Sequence, residues 1–185
     1  MFKKLRLFFY VLSFTLIIPF LFYLISPSLI SYSQTIVLSD KKVIYELPYP
    51  GILPDHPLYM LKMVRDKMID LATRDNVKKA ELYFLYSDKR VAMAITLAKK
   101  GKAKLALTTL TKGEKYFYKI PPLLTKAKTQ GTSPSESLIY KLKLSNTKHK
   151  QIMDEVAKQI PQGQETEIQY LFDLNEKIRI MLAKF

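Results

Sequence analysis

The chain has 185 residues, with 30 Lys and Arg against 16 Asp and Glu and a formal charge of +14. That length suits one domain plus a terminal segment, and the charge favours anionic partners such as membranes, wall polymers or nucleic acid. Cysteine is absent, which excludes disulfides and thiolate metal sites, and with five glycines and no tryptophan the composition after residue 57 favours helices.

Residues 1–33 differ in kind from the rest. Lys3, Lys4 and Arg6 precede residues 7–25, LFFYVLSFTLIIPFLFYLI, a run without charge that is long enough to approach a bilayer core as a helix. The positive charges before it are expected to stay inside, which places the rest of the chain outside the cytoplasm. Residues 1–33 therefore read as a signal anchor, or as a signal peptide cleaved near Ser33, with Pro19 and Pro27 weakening the anchor reading. Removing them takes away three positive charges, so residues 34–185 keep +11 (27 minus 16). By location, nucleic acid is not an expected partner; anionic lipid or wall polymer is.

Residues 34–54 are expected to form an extended, proline-rich linker, and residues 55–185 the helical domain. The β-branched clusters in residues 35–47 allow a small hairpin, but a lone hairpin is marginal in water and the linker reading is preferred. Pro48, Pro50, Pro54 and Pro57 then make a stiff lead. Asp55 is expected to cap the first helix, with Pro57 in its first turn.

Beyond the lead, apolar residues recur every three or four positions. Leu61, Val64, Met68 and Leu71 form the expected core stripe of the first helix, and Asp75 caps the second. Val77, Ala80, Phe84, Val91, Ala94 and Ala98 keep a seven-residue repeat, with Ser87 at its polar seam position, until Gly101. The third stripe, Ala103 to Ile120, is expected to continue with a kink past Pro121 and Pro122 to Gly131. Ser133, Pro134 and Glu136 read as a capping box for the fourth helix, which carries Ile139, Leu142, His149, Ile152, Met153, Val156 and Ile160. The fifth carries Ile168, Leu171, Leu174, Ile178, Met181 and Leu182. Together they predict an all-α fold, an antiparallel bundle of about five amphipathic helices behind the N-terminal membrane-targeting helix.

Signals for chemistry are sparse. His56 and His149 are the only histidines and have no HExxH or ExxH setting, so neither a metal nor another cofactor is expected. No serine sits in a nucleophile motif and no glycine loop suits a phosphate. Glu81, Asp88 and Arg90 mark a possible polar contact inside the bundle. Their lysine-rich neighbours favour surface ion pairing instead. Lys99, Lys100, Lys102 and Lys104 crowd the turn after the second helix, and Lys141, Lys143, Lys148 and Lys150 line the fourth. Both groups suit an anionic surface or a plain solvated face.

The motif PGILPDHPLYMLK, followed by KKAELYFLYSDKRVAMAITLAKKGK, resembles a family of bacterial exported helical proteins carrying a domain of unknown function. The matching positions are Pro50, Gly51, Leu53, Pro54, Asp55, Pro57, Leu58, Tyr59, Leu61 and Lys62, then Ala80, Glu81, Arg90 and Ala92. His56 departs from the pattern, where a small residue is commoner. The resemblance covers about residues 43 to 120 well; it implies an extracytoplasmic helical domain and supplies no reaction, ligand or catalytic residue. The expected function is a non-enzymatic structural or interaction role at the cell envelope, through an unknown protein partner or an anionic surface. A small-ligand-binding or sensory bundle and an envelope chaperone-like factor or hydrolase are the alternatives.

Overall fold

The structure, a computed structural model, describes residues 44–185. The expected membrane-targeting helix and the cleavage position near Ser33 lie outside the described residues. Among the described residues there are six helices and no strand: α1 (Tyr59–Ala72), α2 (Asn76–Lys99), α3 (Ala103–Tyr118), α4 (Ile120–Thr129), α5 (Glu136–Ala157) and α6 (Glu165–Leu182). None of them is long and apolar enough to cross a membrane.

The boundaries follow from local chemistry. Asp75 is extended and accepts from the Lys78 backbone N–H at 2.8 Å, as an N-cap should. At the other end of α2, Gly101 takes φ +72°, and the Lys102 N–H reaches back to the Leu97 carbonyl at 2.9 Å. Only glycine adopts that left-handed turn without strain, so the helix stops there. The third stripe becomes two helices parted at Lys119. Pro121 and Pro122 lack the N–H groups that would continue α3, yet they suit the first turn of α4.

Two expected caps are corrected. α1 begins at Tyr59 with no side-chain cap, because residues 54–58 form a turn in which the Tyr59 N–H bonds the His56 carbonyl. Asp55 is instead drawn across the fold to Lys102, at 2.8 Å, and Lys100, at 3.5 Å; the Lys102 hydrogen bond holds its carboxyl below the usual range. The cap of α5 is Ser135 rather than Ser133. Its Oγ accepts from the Leu138 N–H at 3.2 Å, which puts Glu136 at the first helical position and leaves Pro134 outside.

α2, α3, α6 and α5 form a four-helix ring in which each packs on the next, and α4 lies against α2 outside it. Two apolar clusters fill the ring. One gathers Tyr83, Tyr86, Phe117, Ile120, Leu124, Leu142, Ile178 and Leu182. The other gathers Val91, Leu97, Leu107, Leu110, Met153, Val156 and Leu171. Leu47, in the expected linker, packs on the second.

α1 is the main surprise. Its expected core stripe, Leu61, Val64, Met68 and Leu71, faces outward, with Val64 57% and Leu71 68% exposed. The buried side chains are Asp66 and Asp70. Polar bonds explain the inversion: the Tyr83 hydroxyl donates to Asp70 Oδ1 at 2.7 Å, the Tyr86 hydroxyl donates to the Asp66 carbonyl at 3.1 Å, and Lys79 pairs with Asp70 at 3.3 Å. Burial alone would raise the Asp70 carboxyl, but the Tyr83 hydroxyl with Lys67 and Lys79 outweighs it and holds the group low.

α2 and α3 approach closely at Gly113. A β-carbon there would lie 3.2 Å from Arg90 Cβ and 3.3 Å from the Ser87 carbonyl oxygen, while Ser87 Oγ donates to the Gly113 carbonyl at 2.9 Å. Alanine is intrinsically better than glycine in a helix by about 1 kcal/mol. Gly113→Ala should nevertheless lower stability by about 1 kcal/mol in denaturant melts, because the groups it meets belong to or adjoin the backbone. A raised melting midpoint would show that α2 and α3 separate easily here.

Candidate functional site

A layer of polar side chains separates the two apolar clusters. Each ring helix supplies part of it: Ser87 and Asp88 from α2, Glu114 from α3, Ser145, Asn146 and His149 from α5, and Asn175 from α6. On α5 the Ser145 to His149 spacing of four residues puts both on one face.

His149 is its centre. Nε2 lies 2.9 Å from Asp88 Oδ1 and Nδ1 lies 2.6 Å from Glu114 Oε1, so a carboxylate stands at each end of a fully buried ring. Burial by itself would lower the imidazole pKa. The Glu114 charge and the hydrogen bonds to Asp88 and Glu114 outweigh it and raise the pKa to about 9, so the ring is held as imidazolium and donates from both nitrogens. Ser145 Oγ donates to Asp88 Oδ1 at 2.7 Å, and the Asn175 side-chain amide donates to Glu114 Oε2 at 3.2 Å. Asn146 and Asn175 each bond the other's backbone carbonyl at 3.2 Å, tying α5 to α6. Tyr45, upstream of α1, closes the layer by donating to Asp88 Oδ2; burial and the Asp88 charge hold its hydroxyl well above the ordinary phenol range.

Ser145, His149 and Glu114 stand in the order of a hydrolase triad, with Ser145 Oγ 3.2 Å from His149 Nε2. The protonation runs against that chemistry. An imidazolium has no lone pair to take the serine proton, and Asp88 already receives both the serine hydroxyl and Nε2. A metal fares no better here, because the carboxylates sit at opposite ring nitrogens and share no common point. The described residues hold no metal-competent group of His, Cys, Asp and Glu. The arrangement can fix helix register, because α2, α3 and α5 each contribute a group to the same ring.

The expected site residues separate. Asp88 and Arg90 are buried, not paired on the surface, because the repeat of α2 turns both inward; Glu81 stays exposed. Among the described residues Arg90 has no carboxylate partner. Its guanidinium lies 4.3 Å from the Tyr116 ring centre, donates to the Tyr86 carbonyl at 3.2 Å, and leaves Nε unpaired. A shallow depression of about 280 Å³ is lined by Tyr45, Glu46, Pro48, Glu81, Phe84, Leu85 and Asp88, and Tyr45 occupies the Asp88 carboxylate at its floor. Lys99, Lys100, Lys102 and Lys104 are exposed together, with Asp55 offsetting part of their charge. Of the lead motif, Gly51 takes φ +70° and Leu58 and Tyr59 begin α1, while Pro50, Leu53, Pro54 and Pro57 shape the turns before it.

Two results should follow. Glu114→Gln sets an amide donor against either His149 Nδ1–H or the Asn175 amide whichever way it turns, and should cost about 3 kcal/mol in urea unfolding. The imidazolium also gives stability a pH dependence. Its folded pKa exceeds the unfolded value of 6.5, so its contribution is complete below about pH 6.5 and is lost as pH rises through about 9. The unfolding midpoint should fall across that window, and His149→Gln should remove this part of the slope; an equal slope in both proteins would contradict the assignment.

A family model for a domain of unknown function, DUF5667, matches residues 51–163, from the turn before α1 to just past α5. No curated protein and no solved structure matches the chain. Asp88, Glu114, Ser145 and His149 all fall within the matched span, and Asn175 falls beyond it. The chain belongs to the DUF5667 family.

Proposed function

We propose that this protein is a non-catalytic helical interaction module, held at or exported across a bacterial membrane, that works outside the cytoplasm on an anionic surface or a protein partner of the envelope. The observation that carries this reading is the placement of the charge. Among the described residues, the His149 cluster lies buried between apolar layers as a structural knot, while residues 44–185 carry 25 basic and 15 acidic side chains, +10, mostly on the outside. The apolar run at residues 7–25 behind three cations supports export. A buried pocket would favour a small-ligand or sensory bundle; the depression beside Asp88 is shallow, and the Asp88 carboxylate in its lining already accepts from Tyr45.

Topology tests the reading directly, because the chain has no cysteine of its own. A single cysteine at the exposed position Lys150, in the full chain expressed in bacteria, should react with a membrane-impermeant maleimide in intact cells. Labelling that appears only after lysis would place the domain inside and overturn the proposal.

A further inference from the structure

Among the described residues, the outer face of α1 is left exposed. Met60, Leu61, Val64, Met68 and Leu71 are all exposed, and at about 100° per residue they fall within an arc of about 100° on the side opposite Asp66 and Asp70. Arg65 flanks one edge of the arc, paired with Asp66 at 2.8 Å, and the more exposed Lys67 flanks the other, paired with Asp70 at 3.2 Å. The only acidic side chains of α1 are Asp66 and Asp70, and both point into the bundle. At the start of the helix, the Asp55 pairs bring the Lys99 to Lys104 turn beside the chain that enters α1. The result is an apolar strip bordered by ion-paired cations, with no exposed carboxylate of its own and with the exposed lysines of the Lys99 to Lys104 turn near its start.

We propose that this face of α1 lies in the interface of an anionic lipid leaflet, its apolar side chains at the headgroup and acyl boundary and its cations among the phosphates. The proposal rests on the membrane reading above and names the partner. Charge complementarity favours lipid, because an amphipathic surface helix binds through buried apolar area together with attraction to anionic headgroups. So does the chain before it: residues 7–25, the uncharged run, precede α1 by fewer than forty positions, which keeps the helix within reach of any bilayer that run engages. A second copy is disfavoured by area and charge. A strip about 21 Å long and one helix face wide, with five exposed apolar side chains, is small against the roughly 20 to 30 residues and about 800 Å² per partner of a stable dimer. Two copies would also bring surfaces of like charge together.

The absence of native cysteine provides the test. Full-length chains carrying one cysteine at Val64, Met68 or, as an exposed apolar control on α6, Ile180 are labelled with a polarity-sensitive fluorophore. They are then reconstituted with phosphatidylcholine vesicles with or without phosphatidylglycerol, and the floated fraction is read with and without nitroxide on the acyl chains. The expected result is a blue shift and loss of most emission to the nitroxide at Val64 and Met68 with phosphatidylglycerol, a smaller loss without it, and little at Ile180. Floated protein whose Val64 and Met68 labels stay water-like overturns the inference while the membrane reading stands. A blue shift without quenching also overturns it, assigning the face to residues 7–25 or, where it depends on protein concentration, to a second copy. Equal quenching in both lipids removes the anionic preference, and failure of the chain to float overturns the membrane reading along with the inference.

Discussion

The bundle turns on one buried charge cluster. His149 spans the distance between Asp88 on α2 and Glu114 on α3, and its own helix, α5, is bound through Asn146 to Asn175 on α6. Apolar contacts tolerate sliding by a helical turn, because one leucine fits roughly where another did. A charged donor between two carboxylates does not, since any slip would leave an unpaired ion in a dry interior. With apolar clusters on either side, the layer sets the register that those clusters then fill. The Gly113 approach adjoins the same layer, because a β-carbon there would press on Arg90 and on the Ser87 carbonyl, next to Glu114 and Asp88.

α1 obeys a different rule. It is fastened by tyrosine hydroxyls and lysine pairs to its polar face instead of by burial of leucines, and its apolar stripe is left outward. Hydrogen bonds and ion pairs near a surface contribute modestly, so α1 is expected at the low end of local stability, where segments that engage partners are commonly found. Of the aromatic side chains near it, Tyr86 and Tyr116 also lie against the Arg90 guanidinium, and Tyr83 packs edge-on against Tyr116.

Much of the scaffold could be read from the sequence because it is written in local terms. The Asp75 cap, the Gly101 stop and the seven-residue repeat of α2 need only near neighbours, and each stands where the spacing puts it. What escaped depends on distance. Asp88 and His149 are 61 residues apart, and no local window shows that one will neutralise the other; the available signal was a set of polar residues interrupting apolar stripes, Ser87, Glu114 and Ser145 among them. Asp55 misled in the same way, because its partner Lys102 is 47 positions away and outbids the nearby helix start. α1 misled for a deeper reason. An amphipathic pattern says that a helix has two faces, and only the tyrosines of α2 decide which of them turns inward.

The hydrogen bond from Tyr45 to Asp88, together with Leu47 against the second cluster, means that the chain does not enter the domain at its first helix. Tension applied upstream of residue 44 would be borne first by Tyr45, at the central polar layer, and would reach α1 only after that clasp had opened. The bundle is thus gripped at its waist. A tether that shifts under load would disturb the ionic centre before it unwound any helix end.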